Sequence, residues 1–336
     1  MKKWMLLLSL EGGARQVSES VALSFKSKLG PETFHIFDCK KYLSSFLLIL
    51  KKNDETMAVD LLNQSLIVQC LQYSITHLFV PALCPVTLFT LNLLKNLNIM
   101  RIHWFFEDYR RAYYWKDVIA GYSWFFAIQK EPIKHLCEVN RCQYRYLPTA
   151  ASDTVIAFSS QKKKYEKNTD VSFIGIPSEY RISFLEFLAQ NGISLSIAGK
   201  GWGNYCGLLS RYIIENSWID SIKMVEIVNH SRIALNLSVK NPNEEILSAQ
   251  LSPRIFDVLT SNSILLTEDV PLLFETINNC YFHTFKNKEN ALTEIVSILQ
   301  NYSFEKLHKK FTENHKIICT NHTWNNRIDK ILSITA

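Results

Sequence analysis

Arg254 and Asp257 stand three residues apart in Leu251-Ser252-Pro253-Arg254-Ile255-Phe256-Asp257-Val258, a spacing that puts both on one face of a helix. The stretch opens with charge, turns at Thr260-Ser261-Asn262-Ser263 and continues into apolar Ile264-Leu265-Leu266, which predicts a helix start, a turn and a buried strand. Free N–H groups at a helix N-terminus attract phosphate. Arginine grips a diphosphate bidentately, and a carboxylate accepts from ribose hydroxyls. The segment suits a sugar-nucleotide ligand, although the same pair also occurs as a solvated surface ion pair.

Such groups must be carried by elements that bring them together. In the first half, short apolar runs alternate with amphipathic stretches, the pattern of βαβ units around a parallel sheet. Strands are expected at 4–10, 34–37, 77–81, 99–106, 124–128 and 144–147, with helices at 15–29, 57–71 and 86–97. The second half repeats the scheme with strands at 170–175, 195–199, 233–237, 264–267 and 281–285. Helices are expected there at 179–190, 291–299, 304–318 and 324–332. Gly12, Gly13, Gly175, Gly199 and Gly201 fall at strand ends, where doubly wound folds bind ligands and glycine lets backbone approach a phosphate.

Length and composition fit this. With 336 residues, 47% hydrophobic and 20% charged, the chain suits two globular domains of about 150 residues each, with a cleft between them. The boundaries expected are a first domain at 1–152, a basic linker at 153–169 and a second domain at 170–336. The net charge of +6 favours anionic ligands without requiring nucleic acid. The densest basic cluster, 161–167, lacks the aromatic or arginine series that stacks bases and reads as a solvated linker, so nucleic acid is not an expected partner.

The eight cysteines contain no pair of CxxC elements. No zinc site is expected, and scattered thiols without a disulfide framework fit a cytoplasmic location. The apolar run after Lys2-Lys3 is short and lacks a cleavage site, so it reads as a strand. No run reaches the ~18 residues of a membrane span, which leaves peripheral membrane contact as the only expected kind.

The second half resembles the CgeB-like (spore maturation protein) glycosyltransferases of the GT-B class over most of 170–330. The likeness runs through Phe173-Ile174-Gly175 with Arg181, Ile197-Ala198-Gly199-Lys200-Gly201-Trp202 and Ser231-Arg232-Ile233-Ala234-Leu235-Asn236. It continues through the stretch around Arg254 and through His322-Thr323-Trp324 with Arg327. The first half is similar more loosely, through Trp104-Phe105-Phe106-Glu107-Asp108 and Leu147-Pro148-Thr149-Ala150. Asp257 stands where the family usually has glutamate, Asn262 where glycine is usual, and Ala249 where related retaining enzymes carry the first carboxylate of an E-x7-E pair. Asparagine suits the left-handed turn that glycine would make.

The resemblance implies an α/β fold of the GT-B class, two Rossmann-like domains whose parallel sheets face a central cleft. It also implies hexosyl or N-acetylhexosaminyl transfer from a nucleotide-diphosphate sugar, the co-substrate, to a hydroxyl of a protein, glycan or surface polymer. Arg181, Lys200 and Arg254 are the candidates for the diphosphate. With no D-x-D motif, they would replace a metal, so no metal and no further cofactor are expected. Asp257 is the ribose candidate, Asn236 orients the nucleotide or caps a turn, and Glu275 contacts the sugar or sits solvated on a helix. Trp202 stacks on a base or fills the core. Glu107 and Asp108 are the catalytic candidates, for acceptor binding or base work, or else they cap the next helix. Tyr113, Tyr114 and Trp115 are candidates for an acceptor platform, whereas His77 and His103 read as structural. Two other functions fit the same features, a catalytically silent GT-B protein binding a nucleotide or partner and a nucleotide-sugar epimerase.

Overall fold

The computed structural model describes residues 2–51, 54–161, 165–239 and 250–335. The chain forms two compact units, Met1–Pro148 with Trp324–Ala336, and Thr149–Thr323. The first carries a parallel sheet of β1 (Trp4–Leu8), β2 (Phe34–Asp38), β3 (His77–Pro81), β4 (Met100–Phe105), β5 (Trp124–Ala127) and β6 (Gln143–Tyr146) in the order β2-β1-β3-β4-β5-β6. All five residues of β1 and of β3 are buried, which is why they read as continuous apolar runs rather than alternating ones. Pro81 closes β3 beside Trp104, a strand-end position where its missing N–H costs little.

The second unit holds β7 (Thr169–Ile174), β8 (Leu195–Ala198), β9 (Ile213–Glu215), β10 (Ser231–Asn236), β11 (Ile264–Glu268) and β12 (His283–Phe285). They are all parallel, in the order β12-β11-β10-β7-β8-β9. Its core joins Val171, Phe173, Ile197, Ile233, Leu235 and Leu266 from the strands to Phe184, Leu188, Ile295 and Phe311 from the helices. Burying each such side chain contributes roughly 1.5–3 kcal/mol.

Two boundaries differ from those expected. The terminal helix Trp324–Ile334 belongs to the first unit. Trp324 meets Trp104 edge-on at 5.6 Å, Arg327 Nε donates to the Pro148 carbonyl at 2.9 Å, and Lys28 pairs with Asp329 at 2.6 Å. The stretch expected as a linker is part of the second unit. Residues Asp153–Ser159 are helical, and Ser159 hydrogen-bonds Thr260 at 3.1 Å. Lys167 is not solvated either, since its Nζ donates to the carbonyls of Ser231 and Asn262, both at 2.7 Å. Lys162, Lys163 and Lys164 of the basic cluster lie outside the described residues.

Helix Cys39–Ile49, helix Ser221–Asn229 and β9 were not expected. Asn262 does not take the left-handed conformation expected of it. Its N–H instead donates to Asn229 Oδ1 at 2.9 Å. Cys39, Cys70, Cys84, Cys137 and Cys142 are buried free thiols, matching their reading as small core residues.

Candidate functional site

In the second unit the strand order reverses between β7 and β10, and at such a point the loops leaving the two strands part and leave room for a ligand. Arg181 sits here, near the start of helix Glu179–Gln190, whose N-cap Ser178 accepts from the Arg181 N–H. Its guanidinium is buried rather than presented. Nη1 donates to the Ile176 carbonyl at 2.9 Å, Nη2 to the Leu237 carbonyl at 2.6 Å, and the group lies over the Phe173 ring at 5.3 Å. The geometry makes it a brace that ties the segment after β7 to the segment after β10, not an open arm for a diphosphate.

The glycines at this edge meet one another. Gly199 has φ +138°, and a Cβ there would come within 2.5 Å of the Gly175 oxygen, so only glycine allows the two loops this close. Trp202 is fully buried, its indole N–H donating to the same Gly175 carbonyl at 2.8 Å. This corrects the base-stacking alternative, because both faces and the polar handle are taken by the core. Gly201 has φ +103°, and its N–H donates to Asn216 Oδ1 at 3.1 Å. Lys200, between the two glycines, is exposed.

On the other side of the reversal, Asn236 ends β10. Its amide donates to Thr267 Oγ1 at 3.0 Å, and Oδ1 accepts from Ser252, the residue capping helix Pro253–Val258, at 3.4 Å. Beside it, Glu268 ends β11 with 5% of its surface exposed. It accepts from the Tyr180 hydroxyl at 2.9 Å and from the Ser238 N–H at 2.6 Å. The sequence reading passed over Glu268. A charged residue closing an apolar strand was the available signal, but its partners lie 88 and 30 residues away.

Asp257 is buried, with Oδ1 accepting the Ser152 N–H at 3.0 Å. Burial pushes its carboxyl up to about 7, against the opposing pull of that hydrogen bond and of Arg254. A carboxylate placed this way holds backbone within the unit, and the expected reach to a ribose is not seen. Arg254 is partly exposed, yet its Nε is buried with no partner among the described residues, as is Ser238 Oγ. Burial lowers the Arg254 pKa, opposed by the Asp257 charge. Unpaired buried donors of this sort are what a polar ligand satisfies. Glu275 is exposed on the short helix Pro271–Thr276. Ala249 lies outside the described residues.

In the first unit, Glu107 and Asp108 follow β4 and have different surroundings. Asp108 is buried, takes Arg110 Nε and Nη2 at 3.1 and 2.9 Å and accepts the Arg110 N–H at 2.9 Å. Burial raises its pKa, but these Arg110 interactions outweigh that and leave it lowered. Glu107 is half-buried, and burial together with the Asp108 charge raises its pKa. Asp108 therefore anchors its own turn, and Glu107 is the carboxylate of the two that Arg110 does not hold.

Gly12 has φ +66° and opens helix Gly12–Lys28, with Gly13 behind it, both exposed. The loop before them borders a cavity of about 830 Å³ that also draws on the segment after β3 and on Tyr114. Trp115 is fully buried, Tyr113 is 61% exposed and Tyr114 lines the cavity, so only part of the expected aromatic platform is accessible. His103 is buried and neutral, its pKa pushed down to about 3 by burial.

Residues 181–333 match the family model described as glycosyl transferase-like. No curated protein matches the chain. Among solved structures, sucrose-phosphate synthase from Thermosynechococcus elongatus superposes with a TM-score of 0.65 at 8% identity, covering 99% of this chain and 98% of that one. HepE of Anabaena in complex with UDP-glucose gives 0.60 at 9%, covering 99% and 100%. UDP-GlcNAc 2-epimerase from Neisseria meningitidis bound to UDP-GlcNAc gives 0.52 at 12%, covering 100% and 99%. At these identities the likeness is one of fold. The chain has a GT-B-class fold of two Rossmann-like units, and its second half carries a glycosyl transferase-like domain match.

Proposed function

We propose that this chain is a glycosyltransferase of the CgeB-like kind, with a nucleotide-diphosphate sugar held by the second unit and a hydroxyl acceptor by the first. The observation that carries the reading is the overlap of the glycosyl transferase-like match at 181–333 with Asn236 and Glu268, which end β10 and β11, and with Arg254 on the helix whose N-cap Ser252 hydrogen-bonds Asn236. In the reaction the acceptor oxygen bonds to the anomeric carbon, the bond from that carbon to the diphosphate breaks, and the acceptor hydroxyl loses its proton. Lys200 and Arg254 offset the charge on the departing diphosphate without a metal. Arg181 positions the loops around it, and Glu107, its pKa raised by burial, takes the proton.

No helix of the described residues is long and apolar enough to cross a membrane. With the free thiols, this supports a cytoplasmic enzyme. Calorimetric titration with UDP, GDP, CDP and dTDP sugars, with and without EDTA, tests the reading. A micromolar donor that survives EDTA and yields product only with an acceptor supports it, and absence of binding by all four overturns it. A second reading, a nucleotide-sugar epimerase, draws on the superposition with UDP-GlcNAc 2-epimerase and would be supported by conversion of the donor with no acceptor added. Binding without turnover would point to a silent nucleotide-binding protein.

A further inference from the structure

We propose that the cavity of the first unit takes the apolar body of a hydroxyl-bearing amphiphile, a lipophilic acceptor for the transfer proposed above, on which reading this inference rests. The cavity, of about 830 Å³, falls within the range of small-molecule sites, about 300–1,000 Å³. It opens beyond β1 and β3, where the strand order of this unit reverses, the place where ligands enter doubly wound sheets. Leu10, Leu43, Leu47, Val59, Val86 and Leu88 form its walls.

Two polar groups of the wall, Thr87 and Tyr114, are already engaged. Thr87 Oγ1 donates to Thr90 Oγ1 and accepts the Thr90 N–H, and the Tyr114 hydroxyl accepts the Leu83 N–H at 2.8 Å. Exposed Glu11, Lys40, Ser44 and Asp117 at the rim are left to meet a hydroxyl. A free sugar in such a cavity would forfeit most of its hydrogen bonds, whereas an apolar body would not.

Leu83 adds a second, independent sign. It lies in the cavity wall in the left-handed region at φ +61°, with 40% of its surface exposed. A bulky side chain held in a strained backbone and partly in water is stable only if the surrounding structure imposes it, and such strain gathers at ligand sites. The Tyr114 hydrogen bond helps to hold it there, and an apolar ligand would remove that surface from water. On the neighbouring helix Cys39–Ile49, Leu48 and Ile49 are 74% and 71% exposed beside exposed Lys51, which makes a lipid surface one source of the amphiphile and solution the other.

The test uses the full chain without nucleotide, titrated calorimetrically with glucose and with hexyl, octyl and decyl β-D-glucosides below their micelle concentrations. Affinity is expected to rise about fourfold for each added methylene, with none for glucose. Leu47→Glu is expected to lower decyl glucoside affinity at least tenfold. Leu83→Gly, which relieves the left-handed strain and so does not threaten folding, is expected to lower it severalfold while raising Tm. No chain-length dependence, or unchanged affinity in both variants, overturns the inference.

Sedimentation with phosphatidylcholine vesicles, with and without a dialkyl glucoside, separates the sources. Glucoside-dependent binding assigns a membrane-borne acceptor, and binding of soluble glucosides alone assigns a free one. Titration of the same sample with the four nucleotide sugars keeps the two readings apart. Donor binding without glucoside binding defeats this inference only, and the reverse overturns the transferase reading while leaving the cavity as an amphiphile site.

Discussion

The Asp257 carboxylate accepts the backbone N–H of Ser152 at 3.0 Å, a hydrogen bond that spans 105 residues and ties helix Pro253–Val258 to the segment that opens the second unit. Burial of the same carboxyl sets a pH dependence. The folded carboxyl titrates near 7 against 3.8 in the unfolded chain, so between those values the folded state holds a proton that the unfolded state has lost. The stabilisation is complete below about pH 4 and disappears as pH rises through 7, with a slope of at most about 1.4 kcal/mol per pH unit. Urea unfolding between pH 5 and 8 should show this slope, and Asp257→Asn should flatten it.

Arg254→Ala should weaken donor binding by at least about tenfold, the loss of a charge-assisted contact worth on the order of 2 kcal/mol. Its Nε has no hydrogen-bond partner among the described residues, so the melting temperature should fall little. Calorimetry and a thermal melt on the same sample separate the two effects, and unchanged affinity in a folded variant would refute the assignment.

Glu268→Ala removes the acceptor of the half-buried Tyr180 hydroxyl and Ser238 N–H and should destabilise the protein by about 1–3 kcal/mol in urea unfolding. Tyr180→Phe removes one of those bonds and leaves the carboxylate its backbone partner, so it should cost about 1 kcal/mol.

Gly199→Ala places a Cβ 2.5 Å from the Gly175 oxygen in a backbone that L side chains rarely adopt, and should cost about 2–4 kcal/mol. Gly12→Ala meets no neighbour and carries only the conformational penalty at φ +66°, about 1 kcal/mol. The difference between the two variants, measured side by side, tests whether loop contact or conformation alone sets the requirement.

The strands were legible because burial on both sheet faces writes unbroken apolar runs such as Trp4–Leu8 and Ile264–Leu266 into the chain. Helix Cys39–Ile49 was not, since it exposes Leu48 and Ile49 and so blurs the apolar stripe that marks a helix. At the site, chemistry was legible as residue type but not as partner. Arg181 beside a glycine turn has the composition of a phosphate grip, yet the Leu237 carbonyl that takes its Nη2 lies 56 residues on. Of the glycines at strand ends, Gly199 makes a close approach and Gly12 meets no neighbour, and that Gly199 approaches Gly175 is decided by tertiary packing alone. Asp257 and Glu268 repeat the lesson, because their donors come from distant segments.

The terminal helix Trp324–Ile334, seated against Trp104 and Pro148, fixes an order of events during synthesis. Domains ordinarily mature in the order in which they leave the ribosome. Here Thr149–Thr323 is fully emerged while Met1–Pro148 still lacks the helix that covers Trp104 and answers the Pro148 carbonyl. The unit made earlier is completed later, and a truncation just ahead of Trp324 would injure the unit that holds Trp104 rather than the one it follows.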